Sequence, residues 1–238
     1  MRILIAGASG VIGHALVKLL VALGHAVTGT TRSPVRAAAL RAAGATPLVL
    51  NVFDARPLAD AVAAARPEVV VHQLTDLPDR LEPGGLVDAL ARNARVRVEG
   101  TRNLVAAAVR AGTRRLVAQS IAWAYAPGPE PHDEDDPLDT GAEGARAVTV
   151  LGVAELERLV TSVPRIDGLV LRYGQLYGPG TWSAGPSGSA PVHVGAAARA
   201  AALAVARGLP GIYNIVEDGG SASNAKARVQ LGWDPRLT

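Results

Sequence analysis

Short apolar runs alternate along the chain with longer Ala-, Leu- and Arg-rich stretches. Ile3-Leu4-Ile5-Ala6 is the first run. The apolar spacing after it predicts a helix over Val11–Leu23, closed by Gly24. Ala26–Thr31 reads as the second strand, Val35–Ala43 as a short helix, Pro47–Leu50 as the third strand and Ala55–Ala65 as a helix. Val69-Val70-Val71 with His72 is a continuous apolar run, the kind found in strands buried on both faces. A long helix is predicted over Leu86–Ala111, ended by Gly112, and then the strand Leu116–Gln119. Pro127–Gly144 breaks the pattern with prolines and the acidic run Asp133-Glu134-Asp135-Asp136, and reads as a surface loop. A helix over Ala145–Val163 and the strand Leu169–Leu171 follow. Next come a mobile Gly/Pro/Ser-rich stretch from Gly178 to Pro191, a helix over Val194–Ala206 and the strand Ile212–Val216. The tail reads as polar. This alternation predicts right-handed crossovers and an α/β fold, a parallel sheet with helices on both faces.

Composition narrows this picture. A chain of 238 residues suits one domain with a small appendage. The expected division is a main domain over 1–175 and a reduced C-terminal, substrate-side lobe over 176–238 packed on it. Hydrophobic residues make up 49% but aromatics only 3%, so the core is Ala, Val and Leu and needs close helix–sheet packing. No cysteine is present, which removes disulfides and thiolate metal sites and fits a reducing compartment. The apolar stretch Ile3–Leu23 is interrupted by Gly7, Gly10, Gly13, His14 and Lys18, so it reads as strand, turn and helix, not as a membrane span or leader. A cytoplasmic protein without a membrane partner is expected. The net charge of +3 comes from arginines scattered over many segments, with no basic stripe interleaved with aromatics. A nucleic-acid partner is therefore not expected. The acidic run lacks the ligand spacing of a calcium loop, and no metal site is expected.

The chemistry begins at Gly7-Ala8-Ser9-Gly10-Val11-Ile12-Gly13, set between the first strand and the first helix. Gly7 permits a tight turn, Gly10 lets backbone approach a pyrophosphate, and Gly13 allows close helix packing. The helix start then offers unpaired N–H groups to phosphates. This is the Rossmann-type dinucleotide pattern in its required context. NAD-preferring sites carry an Asp or Glu at the end of the second strand; here the residues are Thr31, Arg32 and Ser33. Arg32 can pair with a 2′-phosphate while Thr31 and Ser33 donate hydrogen bonds, so NADP(H) is favoured over NAD. The alternative is that Arg32 is a solvated strand-end residue.

Further motifs carry a family resemblance. They are Asn51, Val52 and Asp54 after the third strand, Val71-His72-Gln73-Leu74 at the fourth, Gly100-Thr101-Arg102-Asn103-Leu104, Leu171-Arg172-Tyr173-Gly174-Gln175-Leu176-Tyr177-Gly178-Pro179-Gly180, Val192-His193-Val194 and Tyr213-Asn214. With the glycine turn, they make the chain resemble the NAD-dependent epimerase/dehydratase branch of the short-chain dehydrogenases/reductases. The resemblance implies a cofactor groove lined by Gly7, Ser9, Gly10, Val11, Ile12, Gly13, Thr31, Arg32, Ser33, Asn51, Val52, His72, Gln73, Leu74 and Ser120, with Tyr173, Gly174 and Gln175 bordering the nicotinamide. It also suggests a homodimer through the two long helices.

The chain departs from that family where the chemistry is done. The family uses a Tyr-x-x-x-Lys pair on one helical face, where the lysine lowers the tyrosine pKa. Here the lysines are Lys18 and Lys226, and none of Tyr125, Tyr173, Tyr177 and Tyr213 stands four residues before either. The family's Ser/Thr position holds Ile121 or, with a shift of one, Ser120. Arg97 stands where the usual Asn of the Gly-Thr helix falls. Gly195 and Ala196 replace an acidic pair, and the substrate lobe is trimmed, so nucleotide-sugar recognition is not expected. Ser120 or Tyr125 is then the group expected to polarise a substrate oxygen. His72 is a proton carrier or a packed groove residue. Glu155 and Glu157 read as a solvated helix face, with Glu155 as an alternative base, and Trp123 caps a pocket or packs under the loop. The resulting expectation is an NADP(H)-dependent oxidoreductase acting on a small carbonyl or imine. Two alternatives stay open: a non-catalytic NADP(H)-binding redox-sensing module, and an epimerase or dehydratase with relocated acid–base groups.

Overall fold

The computed structural model describes residues 1–78 and 85–238. Its elements are β1 (Arg2–Ala6), α1 (Val11–Ala22), β2 (Ala26–Thr31), α2 (Pro34–Ala42), β3 (Thr46–Val49), α3 (Ala55–Ala65) and β4 (Val69–His72). They continue with α4 (Leu86–Arg95), a π-helical turn (Val96–Gly100), α5 (Thr101–Arg110), β5 (Arg115–Ile121), α6 (Gly144–Thr161) and β6 (Asp167–Tyr173). The last are β7 (Gln175–Tyr177), β8 (Pro191–His193), α7 (Val194–Ala204), β9 (Gly211–Ile215) and α8 (Ala225–Leu231).

One seven-stranded sheet runs β3-β2-β1-β4-β5-β6-β9. Every neighbouring pair is parallel. Strand alternation divides its side chains between two cores. Ile3, Ile5, Val69, Val71, Val117, Leu169 and Leu171 face α1 and α7. Leu4, Val70, Leu116, Ala118 and Val170 face α3, α5 and α6. Ala196, Ala197, Ala200, Ala201 and Ala204 of α7 are fully buried, and these small residues let α7 pack close on α1.

The expected long helix over Leu86–Ala111 is instead two α-helical segments joined by the π turn. Gly100, at the end of that turn, comes against Val52, where an added Cβ would stand 3.1 Å from Cγ1. Two further elements escape a reading by periodicity because they are short. These are the two-stranded β7–β8 ribbon and α8, which buries Ala227 and Leu231. The tail is pinned by Trp233, whose indole N–H donates to the Ala196 carbonyl at 2.9 Å. Residues beyond 175 share the main sheet through β9, so position 175 marks no break in the core. The Pro127–Gly144 segment is a loop but is only partly at the surface: His132 is buried and bridges to Ala222, and Tyr125 bridges to Leu138.

Candidate cofactor and reaction site

Strand order reverses direction between β1 and β4, and the chain leaves both at their C-terminal ends. In open parallel sheets that crevice is where ligands bind. The glycine turn occupies it. Gly7 has φ of +85°, a conformation that strains any residue with a Cβ. Its N–H donates to the Thr30 hydroxyl at 3.2 Å, and the Ala8 N–H donates to the Thr30 carbonyl at 3.1 Å. Gly13 lies directly over the turn, where a Cβ would collide with the Gly7 carbonyl oxygen. The third glycine therefore brings the helix onto the turn itself rather than onto the strand behind it. Gly10 is the N-cap of α1. No side chain caps this helix start and no acidic residue stands in its first turn, so its N–H groups and positive dipole end remain open to an anion. Ile12 turns into the core, whereas Val11 is exposed at the helix start.

At the end of β2 the three polar residues have separate duties. Thr31 is buried, and its hydroxyl oxygen accepts from Ser9 Oγ at 3.0 Å and from the Ser33 N–H at 3.2 Å. Ser33 caps α2, its Oγ accepting from the Arg36 N–H. Arg32 alone of the three projects into solvent. It donates to Asp76 Oδ1 at 2.8 Å, and Arg92 stands 4.0 Å from the other oxygen of the same carboxylate. At the next strand end, Asn51 Oδ1 accepts from the Phe53 N–H. Val52 is buried, and its carbonyl accepts from Asn103 Nδ2.

Beyond β4, of the two readings of His72 the structure favours the packed one. His72 is fully buried, and its Nδ1 accepts from the Leu74 N–H at 3.2 Å. Its Nε2–H is thereby left to donate to Thr101 Oγ1, 2.9 Å away. Burial pushes its pKa down to about 4, so the ring is neutral and shapes the Leu74 backbone without entering the groove. Gln73 stands beside the glycine turn, its carbonyl lying where a Cβ on Gly7 would go. Its Nε2 donates to the Tyr173 hydroxyl at 3.2 Å. Its Oε1 is the one buried side-chain polar atom without a partner among the described residues. Leu74 offers its carbonyl to Gln119 Nε2. Gly174 donates its N–H to the Ile215 carbonyl, and Gln175 Oε1 accepts from the Ala190 N–H.

Ser120 and Tyr125, the expected substrate-polarising groups, both have their hydroxyls engaged in buried bonds. Ser120 is buried and its Oγ donates to Glu157 Oε1 at 2.7 Å. Glu157 is no part of a solvated face: it is buried in a two-point ion pair with Arg172, at 2.9 and 2.8 Å. Only 6% of its side chain and 3% of that of Arg172 meet solvent. The signal was present in the sequence. Glu157 lies on the stripe of Val150, Val153 and Val160, which faces the core, and a carboxylate there demands a partner. Tyr125 lies beneath the acidic loop, stacked on His132 at 4.8 Å, with its hydroxyl donating to Asn214 Oδ1 at 2.7 Å. Burial pushes its pKa up. Glu134 of the acidic run also turns inward and accepts from the Asn214 N–H at 2.7 Å. Glu155 is held by Arg158 and Arg102. The sequence of α6 contains neither tyrosine nor lysine.

A doubly wound parallel sheet with an open, glycine-cradled helix start at its switch point defines a nucleotide-binding α/β protein. The chain belongs to the NAD dependent epimerase/dehydratase family, whose sequence model matches residues 3–209. It is 53% identical over 192 residues to a 3-diazoavenalumate denitrifying reductase of a Streptomyces species. The match covers 80% of this chain, and the chain spans only 61% of the length of that reductase. Two solved structures share the fold over all of this chain. The UDP-glucose 4-epimerase of Thermotoga maritima, solved with UDP-glucose, has a TM-score of 0.80 at 18% identity over 94% of its own chain. The Bordetella bronchiseptica enzyme WbmG, solved with NAD and UDP, has a TM-score of 0.76 at 19% identity over 90% of its own chain. No described helix is long and apolar enough to cross a membrane. Among the described residues, no group of three or more His, Asp or Glu could hold a metal ion.

Proposed function

We propose that the chain is a cytoplasmic NADP(H)-dependent reductase of a small molecule, and that its substrate carries a diazo group. The observation that carries the cofactor reading is the glycine turn under an uncapped helix start, with the exposed Arg32 guanidinium at the neighbouring strand end. The orphaned Gln73 Oε1 beside that turn supports it, because a buried acceptor without a donor is costly unless a ligand supplies one. Gly7–Gly13 would hold the pyrophosphate, Arg32 the 2′-phosphate, and Gln73, Leu74 and Tyr173–Gln175 the nicotinamide end. Bound there, the dinucleotide supplies a hydride.

The 53% identical reductase supports a diazo substrate. So does the chemistry of α6, which has no tyrosine–lysine pair. Reducing a carbonyl adds a hydride to carbon and needs a proton for oxygen. A diazonium ion takes up one hydride and loses dinitrogen: R–N₂⁺ plus H⁻ gives R–H plus N₂. Charge and atoms balance with no acid at all. The chain's own residues then need only to bind and orient the reactants and exclude water, and the buried Ser120, Glu157 and Arg172 network would hold β5, β6 and α6 rigid for that.

The test is calorimetric titration of NADPH and NADH into wild type and Arg32→Ala, then NADPH oxidation with an arenediazonium salt. Tight NADPH binding that depends on Arg32, with cofactor consumption and dinitrogen release, is the expected result. Failure of both cofactors to bind would refute the reading. The engagement of Ser120 and Tyr125 in buried bonds favours one second reading, a non-catalytic NADP(H)-binding sensor. Binding without turnover of diazonium, carbonyl or imine substrates would select it. The apolar groove of Ala94, Val98, Val148, Leu151 and Gly152 between the helices supports self-association there, which Leu151→Arg should abolish in light scattering.

A further inference from the structure

Residues 178–190 join β7 to β8, and the two feet of this stretch rest on that ribbon. Gly178 has φ of +103°, and an added Cβ there would stand 2.6 Å from His193 Nε2. Gly188 has φ of +77°, and its Cβ would stand 2.6 Å from Gln175 Cδ. Glycine alone combines such backbone angles with such close approach. Between the feet, the tip holds together by its own bonds. The Gly178 N–H donates to the Ser183 carbonyl at 2.8 Å, and Ser183 Oγ donates to the Gly185 carbonyl at 2.6 Å. The Thr181 hydroxyl stands 2.8 Å from both the Gly178 and the Ser183 carbonyl. The tip leans on the start of α1, where an added Cβ on Gly180 would lie 3.5 Å from Cγ1 of Val11. Two residues on, the Trp182 indole N–H donates at 3.1 Å to the carbonyl of Pro78, in the segment that follows β4. The stretch therefore sets out from the end of β6, passes over the start of α1 and ends on the far side of β4. α1 follows β1, the neighbour of β4 in the sheet, so this path crosses the mouth of the β1–β4 crevice.

Among the described residues, one hydrogen bond, that from Trp182 to Pro78, ties the tip to the segment beyond β4. Fixed feet, a self-bonded tip and a single far bond make an element that can swing as one body when that bond opens. We propose that residues 178–190 are a strap over the dinucleotide crevice and that the Trp182–Pro78 bond is its latch, so that a dinucleotide enters or leaves only while the latch is open. The latch is made by groups other than those proposed to hold the cofactor. It therefore governs how fast the crevice exchanges its occupant and not how tightly it holds it. The inference rests on the reading of this crevice as the dinucleotide site and adds Trp182 as the residue that controls entry and exit.

The experiment compares wild type with Trp182→Phe, which keeps an aromatic ring and loses the N–H. Trp182 is 52% exposed, so the change leaves the core untouched. The probe is whichever of NADPH and NADH binds more tightly. Stopped-flow mixing, followed by the fluorescence of the reduced cofactor, gives the association rate constant, and displacement by excess oxidised cofactor gives the dissociation rate constant. Loss of one hydrogen bond shifts a latched–free balance by about 2- to 12-fold. Both rate constants should rise by that factor in Trp182→Phe, and their ratio, the Kd, should stay within about twofold. Unchanged rates overturn the proposal. So does a rise in one rate constant alone, which would shift the Kd and make the indole a binding contact instead of a latch. If neither cofactor binds wild type, the cofactor reading falls, and amide hydrogen exchange on the free protein decides the latch. Peptides spanning residues 178–189 should then exchange about 2- to 12-fold faster in Trp182→Phe, and equal exchange overturns the proposal.

Discussion

Asp76 should set how strongly the protein prefers a phosphorylated cofactor, through Arg32. The two form an ion pair at 2.8 Å, with 57% of the Arg32 side chain and 21% of that of Asp76 exposed. A 2′-phosphate must compete with the Asp76 carboxylate for the same guanidinium. Exposed ion pairs of this kind contribute about 0.2–1 kcal/mol. Asp76→Asn removes the competing charge and should tighten NADPH by that amount, about 1.5- to 5-fold, while leaving NADH unchanged. Arg32→Ala removes a charge-assisted bond to phosphate worth about 1.5–3 kcal/mol, a loss of about 10- to 150-fold for NADPH alone. In the Arg32→Ala background the effect of Asp76→Asn should vanish, because the two residues act through one contact. Calorimetry with both cofactors at two salt concentrations measures all of this, and the gain should shrink as salt rises. A weaker grip on NADPH in Asp76→Asn, or an equal gain for NADH, would refute the reasoning.

Stability should fall with pH through His72. Its folded pKa of about 4 lies below the ordinary histidine value of about 6.5, so the unfolded chain binds more protons between those values. Its contribution is complete above pH 6.5 and is lost as pH falls toward 4. The loss between pH 7 and pH 5 amounts to about 2 kcal/mol. His72→Gln should flatten that part of a urea-midpoint profile, and an unchanged slope would count against the buried neutral ring. Glu157→Gln should cost about 3–5 kcal/mol by leaving the Arg172 charge buried without its partner, whereas Ser120→Ala should cost only about 1 kcal/mol. Equal losses in chemical denaturation would mean that the ion pair is not the anchor of this network.

The sheet was legible in the sequence because its strands are buried on both faces and its helices end at glycines such as Gly24 and Gly112. The cradle was legible too, since turn chemistry is local: Gly7, Gly10 and Gly13 must be glycine for reasons confined to seven residues. What could not be read was pairing across distance. Ser120, Glu157 and Arg172 come from β5, α6 and β6, and nothing in any one segment says that Ser120 faces a carboxylate rather than a substrate. Tyr125 shows the same limit, because its hydroxyl is claimed by Asn214, 89 residues away. The π turn was hidden for a different reason. Its residues keep helical spacing on average, and only the contact of Gly100 with Val52 shows the widened turn.

The acidic loop has a consequence for how the molecule behaves in a crowded solution. β9 ends the sheet on one side, and an end strand presents free N–H groups to which another chain can add. Glu134 fills one such position by accepting from the Asn214 N–H, and the segment around His132 pairs with Ser221 and Ser223 just beyond the strand. At the opposite margin β3 carries Pro47, which has no N–H to offer. Each margin thus has one position that cannot accept an added strand, one filled by a carboxylate and one by a proline nitrogen. Strand addition is thereby disfavoured at one position on each open end of the sheet, so the sheet's own edges carry a built-in check against pairing with a second chain.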